Sequence, residues 1–181
     1  MSDYLFYEIL NRRGNLTRPT VAVDGQALPR EASYALAQVG LRLRLRPARV
    51  ALDSTLLGRF PQVDCVAYVE PGEVRAGDRL AVVEASTALT EAAEAGATAV
   101  VVADSLGLAP GMRLHLRDGE ALGEVVAAGV VGSTVTLREA LSASFSAGTR
   151  VETVRSYQVL GAEDEGGEGH HLRLALRARE L

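Results

Sequence analysis

The sequence contains no lysine: its 19 basic residues are all arginine, set against 23 aspartates and glutamates for a formal net charge of −4. With Ala, Leu and Gly also abundant, this pattern reads as the coding bias of a GC-rich genome. An acidic balance argues against a protein whose main task is to grip nucleic acid by neutralising phosphates. The single cysteine, Cys65, excludes an internal disulfide and a paired-cysteine zinc site, which leaves it the role of core filler. No apolar run approaches the roughly 20 residues of a membrane-spanning helix. The longest, "ATAVVVA" and "GEVVAAGVVG", are short and are bounded or broken by Gly, Asp or Glu. Also missing are "GxxxxGK[ST]", "GxSxG" and any histidine pair at zinc-helix spacing. We therefore predict no enzyme and no cofactor. In "MSDYLFYEILNRRGNL" the Arg pair follows the apolar residues, the reverse of a signal peptide's order, which predicts no secretion.

What is present is β grammar. Hydrophobic residues make up 48% of 181 residues, enough for one good core or two small ones. The phrase "AGDRLAV" from Ala76 returns in outline as "APGMRLHL" from Ala109 and "SAGTRVET" from Ser146. Each copy reads as a glycine turn followed by a strand of alternating polar and apolar residues. From Ala97 to Val154 the same grammar predicts about five short strands, with "DG" at Asp118-Gly119 as a hairpin signal. There Leu114, Leu116 and Val125 are expected to face inward and His115, Arg117 and Glu124 to face water.

Elsewhere "LRLRLR", Leu41 to Arg46, is the cleanest alternation, with three Leu on one face and three Arg on the other. "TVAVDGQALPR" ahead of it reads as a strand and turn. "REASYALAQVG" fits a helix of two or three turns or another strand, with composition leaning to helix. "STALTEAAEAG" from Ser86 predicts a short helix or helical linker stopped by Gly96. "VDCVAYVEPGE" predicts a strand with Val63, Cys65, Ala67 and Val69 on one side. "SYQVLGAEDEGGEGHHLRLALRARE" predicts a hairpin with a long acidic tip.

The strand ending near Glu84 and the strand starting at Arg155 read naturally as neighbours once the residues between them are removed. The predicted organisation is an N-terminal arm over 1–17, a small β-barrel over 18–84 and 155–181, and a second small β domain over 85–154 inserted at a hairpin tip, where chain ends lie close. The fold class is mainly β, with few short helices.

The segments "VDCVAYVEP", "VRAGDRLAV", "SYQVLGAED" and "HHLRLALR" resemble the small β-barrel of the head-completion or stopper proteins in the necks of tailed bacteriophages. The resemblance covers about residues 60–84 and 155–177. The simplest members of that family lack the middle domain, which is similar instead to small β modules recurring in phage virion proteins. The resemblance implies a non-enzymatic virion subunit forming a homo-oligomeric head-to-tail connector ring of six or twelve copies. Portal or adaptor proteins and tail proteins would be its neighbours, double-stranded DNA would pass through it, and no membrane would be involved. Alternatives are a capsid decoration or tail-tube protein, or a metal- or carbohydrate-binding β module.

Three groups of residues are candidates for function. Arg42, Arg44 and Arg46 share one strand face and suit a DNA channel or an acidic partner; the bland alternative is a solvated face guarding a sheet edge. Tyr4, Phe6 and Tyr7 suit intersubunit anchors, and equally a cap packed on the protein's own barrel. The loop holding Gly161, Asp164, Gly166, Gly167 and His170 suits gating or docking. His170 and His171 lie beside several carboxylates, but adjacent strand residues point to opposite faces, so a solvated loop is preferred to a metal site there.

Overall fold

The computed structural model describes residues 10–20, 33–49, 58–119, 121–164 and 171–179. It is built from antiparallel strands with almost no helix. In chain order the strands are β1 (Arg12–Thr20), β2 (Ser33–Pro47), β3 (Cys65–Val69), β4 (Arg79–Ala88), β5 (Ala99–Val101), β6 (Arg113–Asp118), β7 (Ala121–Val131), β8 (Thr134–Leu137), β9 (Arg150–Asp164) and β10 (Leu172–Ala178). The chain divides into two compact units. One combines residues 1–82 and 156–180, and the other spans 83–155. The long strands β4 and β9 each carry the chain across that division.

In the first, the barrel unit, pairing runs β10–β3–β2–β1–β4–β9, and β10 also pairs β9, which makes a ring of six strands. Alternation explains its interior: Leu16, Leu41, Leu43, Leu80, Val82, Ala67, Val69, Leu174 and Leu176 converge with Tyr157 and Val159. Burying each of the larger side chains contributes about 2 kcal/mol. Gly14 lets β1 sit between β2 and β4, because a Cβ there would lie 2.9 Å from both Leu43 Cδ2 and Leu80 Cδ1. Outside the ring, Val63, Val66 and Ala175 form a smaller cluster with Phe60 and Leu160 against it.

In the inserted unit, β9 pairs β6, β6 pairs β7, β7 pairs β8 and β8 pairs β5. Past the end of β4, Leu89 bridges Val102 and exchanges hydrogen bonds with Gly148 and Thr149. The core holds Leu89, Val100, Val102, Leu114, Leu116, Val135, Leu137, Leu141, Phe145 and Val151.

The repeated phrase is a backbone device. In each copy a turn closes from residue i+3 to residue i: Asp78 N to Arg75 O at 3.2 Å, Met112 N to Ala109 O at 3.2 Å, Thr149 N to Ser146 O at 3.1 Å. The glycine at i+2 has φ of 92, 85 and 85°, the left-handed value a type II turn requires there. Its N–H donates at 2.8 Å to Val159, Ala127 or Leu89, and that one residue donates back at 2.9 Å to the carbonyl of the residue after the glycine. Two residues thus face one, a β-bulge that starts the next strand. A fourth instance at Glu94–Ala97, partnered by Leu141, makes the same bonds.

Several expectations are corrected. "REASYALAQVG" is not helical from Ser33 onward: it opens β2, paired with β1 from Thr20↔Ser33. "STALTEAAEAG" is not helical either, because β4 runs to Ala88, and Leu89 and Ala93 then form bridges that bury them. In both stretches strand pairing overrides local helix preference. Residues 12–17, expected in an arm, lie in β1, where Leu16 and Thr17 are buried. Val63 packs in the outer cluster rather than beside Ala67 and Val69. His115, expected to face water, is 1% exposed. Most of "TVAVDGQALPR" lies outside the described residues.

Candidate functional site

β2 alternates as its sequence dictates. Leu41 and Leu43 are fully buried, whereas Arg42 and Arg44 are exposed and Arg46 is half-buried. The strand lies between β1 and β3, so the arginine row sits on an interior strand of the sheet and does not guard an edge.

Register supplies the row's neighbours. Arg13 of β1 stands directly opposite Arg42. Two residues along, Arg44 stands opposite Tyr68 of β3, Tyr68 opposite Arg173 of β10, and Arg173 opposite Glu163 of β9. Arg173 Nη2 donates to Glu163 Oε2 at 2.8 Å, and Arg59 also pairs with Glu163. Arg46 lies 5.4 Å above the Tyr68 ring and donates from Nη2 to its hydroxyl at 2.8 Å. The His171 ring is 5.8 Å from that of Tyr68.

The face therefore has two halves. Toward Arg46 and Arg173 the guanidinium groups are held by carboxylate or aromatic partners. Toward Arg13, Arg42 and Arg44 no side-chain ion pair forms among the described residues. The Glu70 carboxylate is engaged by backbone, its Oε1 accepting from the Arg42 N–H at 3.2 Å. Like charges directly opposite on neighbouring strands oppose folding. An exposed row of this kind presents positive charge that a polyanion or acidic surface would neutralise.

Of the three predicted arginines, Arg42 and Arg44 are thus available, while Arg46 is committed to Tyr68. Gly161 is not in a loop: it pairs with Ala175 inside β9, and the Phe60 ring covers it so closely that a Cβ would lie 2.5 Å from Cζ. Asp164 is the last residue of β9. Tyr4, Phe6, Tyr7, Gly166, Gly167 and His170 lie outside the described residues. Among the described residues no three His, Cys, Asp or Glu side chains converge as a metal site would need.

Two charged arrangements escaped the sequence. Asp78, the Asp of "AGDRL", is 1% exposed and accepts from Arg18 Nε and Nη2, both at 3.0 Å, and from the Arg75 N–H at 2.9 Å. Arg18 Nη2 also donates to the Glu73 carbonyl at 2.7 Å. This clasp ties β1 to the turn before β4 and raises the Arg18 pKa, chiefly through the hydrogen bond to Asp78. The second is His115, set between Glu124 of β7 and Glu152 of β9 by register. Its Nε2 is 3.7 Å from Glu124 Oε2, and neither ring nitrogen has a hydrogen-bond partner among the described residues. Burial, and next the charge of Arg113, lowers its pKa from 6.5 to about 4.

No protein-family model matches the chain, and no curated protein matches it.

Proposed function

We propose that this protein is a non-enzymatic structural subunit of a tailed-phage virion, a homo-oligomeric neck ring between capsid and tail through which the genome passes. The observation that carries the proposal is the exposed arginine row Arg13, Arg42 and Arg44, which has no internal counterion among the described residues. A ring of six or twelve copies turns one row per subunit into a belt of positive charge. Such a belt relieves the Arg13–Arg42 repulsion when a phosphate backbone passes. The rest of the chain, net acidic, keeps DNA from adhering along the whole wall. Portal or adaptor proteins and tail proteins are the neighbours in this scheme, and assembly takes place in the host cytoplasm.

The test is native mass spectrometry and electron microscopy of the protein alone and with a portal ring. Six- or twelve-fold rings with a duplex-wide opening support the neck role. A trimer that coats capsids points to decoration, and failure to join any neck or tail particle removes the proposal.

A further inference from the structure

Where β10 ends in the barrel unit, a cavity of about 550 Å³ is lined by Asp64, Gln158, Arg177, Ala178 and Arg179. Its charges are unevenly satisfied. Asp64 Oδ2 accepts the Ala178 N–H at 2.8 Å, and Arg177 Nη1 donates to Gln62 Oε1 at 2.8 Å. Arg179 Nη1 is buried and finds no hydrogen-bond partner among the described residues. Its closeness also bears on Arg79, which stacks 3.2 Å from the centroid of the Tyr34 ring. Arg79 has its pKa lowered by burial first and by the charge of Arg179 next. The protein thus holds guanidinium groups near one another around a concave site and leaves a buried donor of one of them unmet. That arrangement is costly for the chain alone, because a buried donor forfeits its water without a replacement.

We propose that this cavity docks the carboxylate side chains of an acidic segment of a partner protein. A guanidinium is a planar fork whose paired donors match a carboxylate. Among the described lining residues, two such forks against one carboxylate, that of Asp64, give the wall a net positive charge, and the Gln158 amide offers further donors. The volume lies in the range of sites that enclose small groups, which suits carboxylates on flexible stems and does not admit a rigid duplex. Arg13, Arg42 and Arg44 are not part of this cavity, so its occupant is independent of the neck role.

Fluorescence anisotropy of labelled hexaglutamate with the full chain tests the proposal. Binding is expected, weakening with added salt. Arg179→Met or Arg177→Gln should each loosen it about tenfold, the loss of roughly one charge-assisted hydrogen bond. Arg42→Gln with Arg44→Gln should leave it unchanged. Arg177 is exposed, so its variant keeps the test decisive should Arg179→Met fail to fold. Absence of hexaglutamate binding, equal loss in the Arg42/Arg44 variant, or displacement of the peptide by a short DNA duplex at equal charge would each overturn it.

Discussion

In the barrel unit the turn before β4 ends in Asp78, clasped by Arg18 and the Arg75 N–H. At the same turn position the inserted unit has Met112, Thr149 and Ala97, none of them charged. The backbone bonds agree to within a few tenths of an ångström, so the turn needs only its glycine. The ion pair is an addition made where β1 must be held to a distant turn. Charge follows the same division: the inserted unit carries nine carboxylates and five arginines, while the rest of the chain carries 14 of each. Both units also seat one phenylalanine on a strand glycine, Phe60 on Gly161 and Phe145 on Gly123. Shared geometry and divergent charge suggest that the repeat is a common way to enter a strand, with function written on side chains outside it.

The largest effect should come from breaking the difference at the turn. Asp78→Ala removes three hydrogen bonds to a buried carboxylate and should cost the barrel unit about 4 kcal/mol, at roughly 1.5 kcal/mol for each bond to a charged group. Thr149→Ala should cost about 1 kcal/mol. All five tyrosines lie outside 83–155, so tyrosine fluorescence during urea unfolding reports the barrel unit alone, and hydrogen exchange follows the other.

Acid should next separate the two. As pH falls through 6.5 the unfolded chain protonates His115, whereas the folded chain resists until about 4. The unfolded state then binds more protons, so stability falls across that window, by about 3 kcal/mol at its lower end. Hydrogen exchange of β6 and β7 at several pH values should show this loss, and His115→Gln should flatten it.

Smaller and equal effects are expected where the units agree. Gly161→Ala and Gly123→Ala each drive a Cβ into a phenylalanine ring and should cost about 2 kcal/mol. Phe60→Leu should recover part of the first loss and none of the second. Smallest of all, Arg42→Gln with Arg44→Gln should move the melting free energy by less than about 0.5 kcal/mol. The same change should lower the salt concentration at which the protein leaves a DNA column, and unchanged elution would sever the row from any DNA role.

Much of the fold was legible because period-two alternation survives in "LRLRLR", "RLHL" and "HLRLALR", and because glycine marks each strand entry. β1 was not legible: "RRGNLTRPT" contains a single large apolar residue, and its place depends on Gly14 fitting between Leu43 and Leu80, which only the assembled sheet reveals. His115 obeyed its alternation and still became buried, since period two assigns a face without saying whether that face meets water. The arginine row could be named from spacing alone. Its unpaired half could not, because Arg13 enters only through the register of β1 against β2, which alternation within either strand does not set. Arg177 and Arg179 fall in the last strand of the predicted hairpin without a role, and only the cavity gives them a shared setting.

The passage of β4 and β9 through both units has a kinetic meaning. The 73 residues from Val83 to Arg155 form a loop that must be closed before β4 can meet β9 in the barrel unit. Closing it as a random chain costs about 4 kcal/mol of entropy, by the logarithmic law for flexible loops. If the inserted unit folds first, its β9, together with the Leu89 bonds to Gly148 and Thr149, brings those ends together and removes most of that delay. The insertion then acts as a folding chaperone in cis, setting the order in which the chain matures as well as the surface it finally presents.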